Sequence, residues 1–292
     1  MVGKMAPLEI HAKEVRLINE RSNMIRQIKE QIKLAKYYLG RRVPWSEGYV
    51  EARNRAVSMQ MQKGWPSKNM LPSGYGTGFD ERIVEIPWVY RQLSFRRGRL
   101  WDVGSCLNDS KILRADKLRN KQIFISNLNP ERKNYHQYSV SYLYEDILNT
   151  ALHDAQFHEI TCISTLEHIG LNNERYSKET STSYNEELYA KAIIVFRKKL
   201  KKGGRLFLTF PYGKRANCGW FQVFDESMVG RIISTFRPAK KQLTVFRAKA
   251  CGWEKSDLKN TATCGFFDWS DGKKCSGNIA GSESVVCLAM QK

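Results

Sequence analysis

The sequence lacks paired cysteines, long apolar runs and a hydrophobic leader. Its 292 residues contain seven cysteines, an odd number, and no Cys-x-x-Cys pair. No window approaches the roughly 18 uninterrupted apolar residues that a membrane-spanning helix needs. Residues 1–39 are charged where a secretory signal would be apolar. We therefore expect a cytoplasmic protein with no disulfide framework, no metal site and no membrane span.

Acidic residues are few relative to basic ones. The chain has 48 Lys and Arg against 29 Asp and Glu, a formal net charge of +19. With 42% hydrophobic and 11% aromatic residues it is too rich in core-forming side chains to be disordered. The charge favours an anionic partner, either a small or carrier-linked anionic substrate or, as second choice, a nucleic acid.

The first part of the chain predicts one long amphipathic helix. Apolar residues recur every three, four or seven positions, and the pattern ends at Gly40; they are Val15, Ile18, Ile25, Ile28, Ile32, Ala35 and Leu39. The opposite face is basic and could meet nucleic acid, an anionic glycan or a membrane surface. A solvated helix packed on a core or on a second copy of the chain is the favoured reading. Residues 1–71 are expected to form a helical and irregular extension.

Residues 72–292 predict an α/β domain. A helix is expected at residues 80–93, followed by a buried strand at residues 100–103. Apolar runs at 122–126, 159–164 and 205–210 alternate with helical patterns, of which the last starts at Ser183 or Asn185 and ends before Gly203. Such alternation predicts a Rossmann-like doubly wound, mostly parallel sheet with an N-terminal helical extension.

In such a sheet, ligands bind beyond the carboxyl ends of the strands. Asp102, Gly104 and Ser105 follow the first strand, with one glycine where a dinucleotide fingerprint has three. After the second strand, Asn127, Leu128 and Asn129 occupy positions where an acidic residue usually binds ribose. Further candidates at strand or loop ends are Asp146, Ile147 and residues 164–168.

Taken in order, these residues resemble the class I S-adenosylmethionine-dependent methyltransferases. The resemblance is strongest to the branch with the motif Ile163-Ser-Thr-Leu-Glu-His-Ile-Gly170, a branch often linked to sugar or glycan pathways. It covers residues 72–292 and includes residues 76–88, 102–105, 146–147, 164–170, 200–204, 211–213 and 219–225. The first 70 residues match no family that we can name.

The resemblance implies S-adenosylmethionine as cofactor and assigns positions around it. Asp102, Gly104 and Ser105 would line its methionine end, and the segment Asn127-Leu128-Asn129 its ribose. Asp146 and Ile147 would flank the adenine. Ser164, Leu166 and Glu167 would belong to the floor beneath the sulfonium.

His168 is the candidate general base, since it follows a strand end and a hydroxyl nucleophile needs a base that is active near neutral pH. Glu167 would orient the imidazole or touch the cofactor. The alternative is a structural His168 whose ring faces away. For the substrate we expect contacts from Tyr212, Arg215 and Trp220, which offer aromatic faces and a cation, and from Arg82. Arg82 could instead form an ion pair with Glu81 or Glu85.

The function predicted from the sequence is O-methylation of a hydroxyl group on a sugar, a glycan or a specialised metabolite. An RNA methyltransferase is the alternative, because the phosphate backbone of RNA would be attracted to a protein with a net charge of +19. A catalytically inactive methyltransferase fold that serves as an interaction module is a third hypothesis.

Overall fold

A computed structural model describes residues 24–25, 27–174, 184–267 and 280–292. The chain divides into two compact units, Met1–Arg53 and Asn54–Lys292. The expected functional division after residue 71 stays a prediction. Three residues named in the sequence analysis lie outside the described residues: Val15, Ile18 and Ser183.

The N-terminal unit contains the predicted helix, described here as α1 (27–39). It ends where the sequence predicts, with the N–H of Gly40 donating to the carbonyl of Lys36 over 2.8 Å. The apolar stripe is not the buried face, however, since Ile28 is 52% and Leu39 85% exposed. Tyr37 is buried instead, because its ring packs edge-on against the ring of Tyr49 at 5.9 Å. Homo-oligomer formation through this helix stays a prediction.

The remaining helices and strands alternate along the chain as the sequence predicts. The helices are α2 (Tyr49–Lys63), α3 (Arg82–Gln92), α4 (Ser110–Leu113), α5 (Asp116–Arg119), α6 (Leu188–Lys199), α7 (Glu226–Phe236) and α8 (Leu258–Thr261). The strands are β1 (Gly98–Val103), β2 (Lys121–Asn127), β3 (Val140–Tyr144), β4 (Phe157–Ile163), β5 (Leu200–Pro211), β6 (Ala216–Asn217), β7 (Gln222–Val223), β8 (Lys240–Lys249), β9 (Gly252–Ser256) and β10 (Ser284–Gln291). Short 3-10 turns occupy Ser67–Asn69, His136–Tyr138, Ile147–Asn149 and Leu166–His168.

Eight strands form one sheet in the order β3-β2-β1-β4-β5-β10-β8-β9. The first five are parallel, and their order is that of doubly wound nucleotide-binding sheets. β10 runs antiparallel to both of its neighbours, β5 and β8, and β9 pairs antiparallel with β8. The fold class predicted from the sequence is therefore confirmed, whereas the antiparallel strands at one side of the sheet had no counterpart in the prediction.

The end of α6 differs from the prediction. Asn185 does act near its start, where its side chain accepts the N–H of Glu187 over 2.9 Å. The helix stops at Lys199, and the following lysines already belong to β5. The reason is pairing with the end of the chain, since the N–H of Gly203 donates to the carbonyl of Lys292 over 3.0 Å.

The core has one layer on each face of the sheet, as side-chain alternation along buried strands requires. Trp101 in β1 belongs to the layer under α6, where its ring stacks on Phe157 and meets Phe196 edge-on. Its neighbour Leu100 belongs to the opposite layer, together with Trp88 of α3. Because both faces of the sheet are covered, ligands have access mainly at the strand ends.

Candidate active site

A cavity of about 760 Å³ opens at the carboxyl ends of β1, β2, β3 and β4. This is the usual ligand position in open parallel sheets, and the volume is typical of sites for small organic ligands. Nine of the candidate residues from the sequence line it: Arg82, Gly104, Asn127, Leu128, Asp146, Ile147, Ser164, Thr165 and His168.

The turn after β1 requires glycine at position 104. Gly104 has a φ of +85°, and a Cβ atom there would lie 2.0 Å from Oγ1 of Thr165. The backbone at position 104 thus lies so close to the loop after β4 that any residue with a Cβ atom would collide with it. This close approach forms one wall of the cavity.

Asp102 and Ser105 do not line the cavity, in contrast to the role that the resemblance implies. The Asp102 carboxylate is fully buried, where it accepts the N–H of Leu107 over 2.9 Å and the hydroxyl of Thr161 over 2.8 Å. Burial raises the pKa of Asp102 to about 7. Asp102 therefore fixes the β1 turn from beneath instead of contacting a ligand.

At the end of β2, an acidic residue from further along the chain contacts a side chain that lines the cavity. Glu131 accepts one hydrogen bond from the side-chain amide of Asn127 over 2.9 Å and another from that of Asn108 over 2.7 Å. Asn127 and Leu128 line the cavity, whereas Asn129 does not. Glu131 thus orients the Asn127 amide at the position where an acidic residue is usual.

The end of β3 contributes the predicted residues Asp146 and Ile147 to the cavity lining. It also contributes Glu145, which the sequence analysis did not select. The Asp146 side chain accepts the N–H of Leu148 over 3.0 Å and so caps the turn that follows. The Glu145 carboxylate accepts hydroxyl hydrogen bonds from Ser126 over 3.0 Å and Thr150 over 2.7 Å. Its position immediately after a strand was the signal that could have identified it.

His168 has a fixed orientation and tautomer. Its Nδ1 lies 2.8 Å from the carbonyl oxygen of Trp220, so Nδ1 carries the proton and Nε2 carries the lone pair. The imidazole also stacks on the Trp220 indole, with ring centroids 5.1 Å apart. Burial lowers the pKa of His168 to about 4, which keeps the ring neutral at neutral pH. Trp220 does not line the cavity; it holds the histidine that does.

Glu167 and Leu166 lie below the cavity floor. The distance from Glu167 Oε1 to His168 Nε2 is 4.0 Å, too long for a hydrogen bond. Burial raises the pKa of Glu167 well above its usual range. The expected orienting role of Glu167 is filled by Trp220 instead. Leu166 is fully buried in the core.

Arg82 forms the ion pairs that the sequence offered as one alternative and also lines the cavity, so its contact with substrate stays a prediction. Its guanidinium contacts the carboxylate of Glu81 and lies 3.9 Å from that of Glu85. Glu85 in turn accepts the hydroxyl of Ser164 over 2.7 Å. Burial raises the pKa of Glu85 to about 7. The cavity floor is therefore tied to α3 through charged and hydroxyl groups.

Tyr212 and Arg215, predicted to contact substrate, lie away from the cavity. Tyr212 is buried, and its hydroxyl donates to the carbonyl of Leu258 over 3.2 Å. Arg215 forms ion pairs with Glu186 at 2.8 Å and Glu187 at 3.7 Å. The positions of both side chains depend on the course of the chain after β5. That course cannot be predicted from the fact that the two residues follow a strand.

One wall of the cavity was missed by the sequence analysis. It consists of side chains from α6 and from the end of the loop after β4: Leu171, Asn173, Leu188, Lys191 and Val195. The spacing of Leu188, Lys191 and Val195 at positions i, i+3 and i+7 places them on one helix face, a signal available in the sequence.

Within the part of the chain that the structure describes, no group of three or more potential metal ligands occurs.

No helix among the described residues is both long and apolar enough to cross a membrane. No protein-family model matches the sequence, and no curated protein does.

Among solved structures, the chain is similar to a 1,6-didemethyltoxoflavin-N1-methyltransferase of Burkholderia thailandensis with bound 1,6-didemethyltoxoflavin and S-adenosylhomocysteine. The identity is 11%, the coverage 100% of this chain and 92% of that chain, and the TM-score 0.44. An Archaeoglobus fulgidus S-adenosylmethionine-dependent methyltransferase shares 10% identity over 70% of this chain and 90% of its own, with a TM-score of 0.43. A Thermotoga maritima S-adenosylmethionine-dependent methyltransferase, described as a possible histamine N-methyltransferase, shares 12% over 71% and 88%, with a TM-score of 0.42.

Proposed function

We propose that this chain is an S-adenosylmethionine-dependent methyltransferase that methylates a hydroxyl group of a sugar. The observation that carries the proposal is the cavity at the strand ends, which combines the Gly104 turn with a neutral His168 of fixed tautomer. The first feature suits close backbone approach to a cofactor, and the second suits uptake of a hydroxyl proton.

The cofactor half of the cavity lies over β1, β2 and β3. Asn127, oriented by Glu131, would bind the ribose hydroxyls, because an amide both donates and accepts. Ile147 and Leu128 would cover the faces of the adenine with apolar surface. The Gly104 turn would meet the methionine end, since it lines the cavity and its conformation and its packing against Thr165 exclude a side chain at this position.

The acceptor half lies over the loop after β4 and the start of α6. When bound, S-adenosylmethionine supplies an electrophilic methyl group, so the protein must mainly orient a hydroxyl and remove its proton. Nε2 of His168 would accept that proton, while Trp220 keeps the ring in place. Thr165 and Asn173 offer neutral hydrogen-bonding groups on the same wall.

A sugar is the proposed acceptor because hydrogen-bonding and charged groups lie among the apolar side chains of the acceptor half, an arrangement that can bind both the hydroxyl groups and the apolar ring faces of a sugar. Hydroxyl, amide and ammonium groups of Thr165, Asn173 and Lys191 line it beside the ion-paired Arg82. A polyhydroxylated molecule can satisfy these groups, and an attached phosphate or carboxylate can pair with Lys191.

The test is a transfer assay with isotopically labelled S-adenosylmethionine against sugar nucleotides, glycans and RNA, with mass spectrometry to locate the methyl group. We expect label on a sugar oxygen. The His168→Ala variant should lower turnover by roughly 100-fold while cofactor affinity stays within about twofold. Transfer to nitrogen, sulfur or carbon, or normal turnover in His168→Ala, would contradict the proposal.

A further inference from the structure

A second cleft, of about 600 Å³, lies at the opposite end of the sheet from the candidate active site. Its walls come from α2, α3, α4 and α5. Because α3 leads into the start of β1 and α5 into the start of β2, this cleft lies at the amino ends of the strands. The length of β1 separates it from the cavity by about 20 Å.

The cleft carries a strong positive charge. Five of its lining residues are cations and one, Asp116, is acidic; the cations are Arg91, Lys111, Arg114, Lys117 and Arg119. Arg119 pairs with Asp116. Arg91 and Arg114 donate to neutral groups, the carbonyl of Trp65 and the hydroxyl of Tyr138, so these contacts position the cations without cancelling their charge.

An aromatic surface accompanies this charge. Phe95 is 67% exposed and lines the cleft beside Tyr90. The Lys117 ammonium lies 5.0 Å from the Phe95 ring centroid and 5.4 Å from that of Tyr90. Lys117 also donates to the carbonyls of Tyr90 and Arg91, which ties α5 to the end of α3. The two rings are thereby held next to the cationic wall.

The positive surface continues beyond the cleft. The segment that follows Phe95 adds the exposed residues Arg96, Arg97 and Arg99. A single phosphate would contact two or three of these cations. The cations as a group extend past the cleft, along the connection from α3 to β1, and are therefore more numerous than one phosphate needs. An elongated ligand with repeated negative charges fits this arrangement better than a small anion.

We propose that this basic cleft binds single-stranded nucleic acid. Grooves that follow a phosphate backbone with cations and offer aromatic rings for base stacking are the common mode of such binding. An anionic membrane fits less well, because the surface is concave and Phe95 is the exposed apolar side chain among the cleft residues. An RNA ligand would also suit the proposed methyl transfer, since each nucleotide within an RNA strand carries a free 2′-hydroxyl.

The proposal is tested by fluorescence anisotropy with labelled uridine and thymidine oligonucleotides of about 12 nucleotides, between about 50 and 200 mM salt. Two variants address the cleft, Arg114→Gln/Arg119→Gln for charge and Phe95→Ala for stacking. Lys255→Gln/Lys259→Gln is the matched control, because it removes the same charge from exposed positions on β9 and α8. Melting temperatures establish that each variant is folded.

We expect both cleft variants to bind at least about tenfold more weakly and the control to bind within about twofold of the wild type. Tighter binding of the uridine probe would identify RNA as the ligand, and equal binding any single strand. Equal losses in the control, no binding of either probe, or binding confined to heparin fragments or phosphatidylserine vesicles would overturn the proposal. Calorimetry with S-adenosylmethionine reports on the proposed function separately.

Discussion

His168 owes its chemical state to its surroundings. Burial lowers its pKa from 6.5 to about 4, although the Trp220 carbonyl opposes this shift by accepting the Nδ1 proton. A histidine with a pKa below its usual value stabilises the fold above pH 6.5, and that contribution is lost as the pH falls towards 4. The sequence predicted the position of this residue, but its tautomer depends on Trp220, 52 residues further along.

The first prediction concerns the pH dependence of methyl transfer. The acid limb of kcat/KM should lie near pH 4 and not near 6.5, because Nε2 stays unprotonated until then. Trp220→Ala removes the stacked indole, exposes the imidazole to water and should move that limb upwards. A wild-type limb near 6.5, unmoved in the variant, would mean that His168 is not the base.

Asp102 shows the opposite shift, with a pKa raised from 3.8 to about 7 by burial. A carboxyl with a raised pKa stabilises the fold below its unfolded pKa, and the contribution is lost as the pH rises through 7. Asp102→Asn should therefore gain about 2.6 kcal/mol in unfolding free energy relative to the wild type between about pH 5 and about pH 8. Urea denaturation of both proteins at the two pH values measures this gain. If the variant and the wild type differed in unfolding free energy by the same amount at both pH values, the raised pKa would be refuted.

Asn127 and Glu131 allow a test of the ribose position. Asn127→Asp alone places two carboxylates in a contact that now spans 2.9 Å, and it should weaken S-adenosylmethionine binding. Asn127→Asp/Glu131→Gln exchanges donor and acceptor, keeps the hydrogen bond and supplies the acidic residue that is usual at this strand end. We expect calorimetry to show tighter binding by the double variant than by the wild type. Equal affinities of all three proteins would place the ribose elsewhere.

At the scale of elements, the strands with buried apolar runs were predictable. β1, β2 and β4 lie within two residues of their predicted bounds, because both faces of these strands are covered. β5 starts earlier than predicted, since Leu200 pairs with Phe157 of β4, and Gly203 and Gly204, which resemble a helix end, pair with Lys292 at the C-terminus. Pairing with a distant strand leaves no local signal.

Helix α3 depends on one buried ion-pair group. Arg82 is the cationic partner of Glu81 and Glu85, both buried. Arg82→Leu should lower the unfolding free energy by about 3 kcal/mol, because it leaves two buried carboxylates without their cation. Arg82→Leu/Glu81→Gln/Glu85→Gln removes those charges and should recover part of the loss in the same denaturation experiment. A triple variant no more stable than the single one would rule out the ion pairs as the cause.

At the scale of the whole molecule, the sequence predicts the position of the site better than its walls. Gly104, Asn127, Asp146 and His168 could be found because carboxyl ends of parallel strands meet at one edge of the sheet. Arg215 could not be placed in this way, since its position depends on how the chain continues after β5 and on its ion pairs with α6-flanking glutamates. The basic cleft brings together α3 and α5, which no strand-end rule connects.

The central claim, that the cavity at the strand ends binds S-adenosylmethionine, is tested most directly by isothermal titration calorimetry. We predict one site for S-adenosylmethionine in the wild type. Gly104→Ala should lose it, because the added Cβ collides with Thr165 and distorts the turn. Gly230→Ala on α7, where no atom lies within 4 Å of the added Cβ, should retain it. Absence of binding at millimolar cofactor, or equal affinity in both variants, would contradict this account of the site.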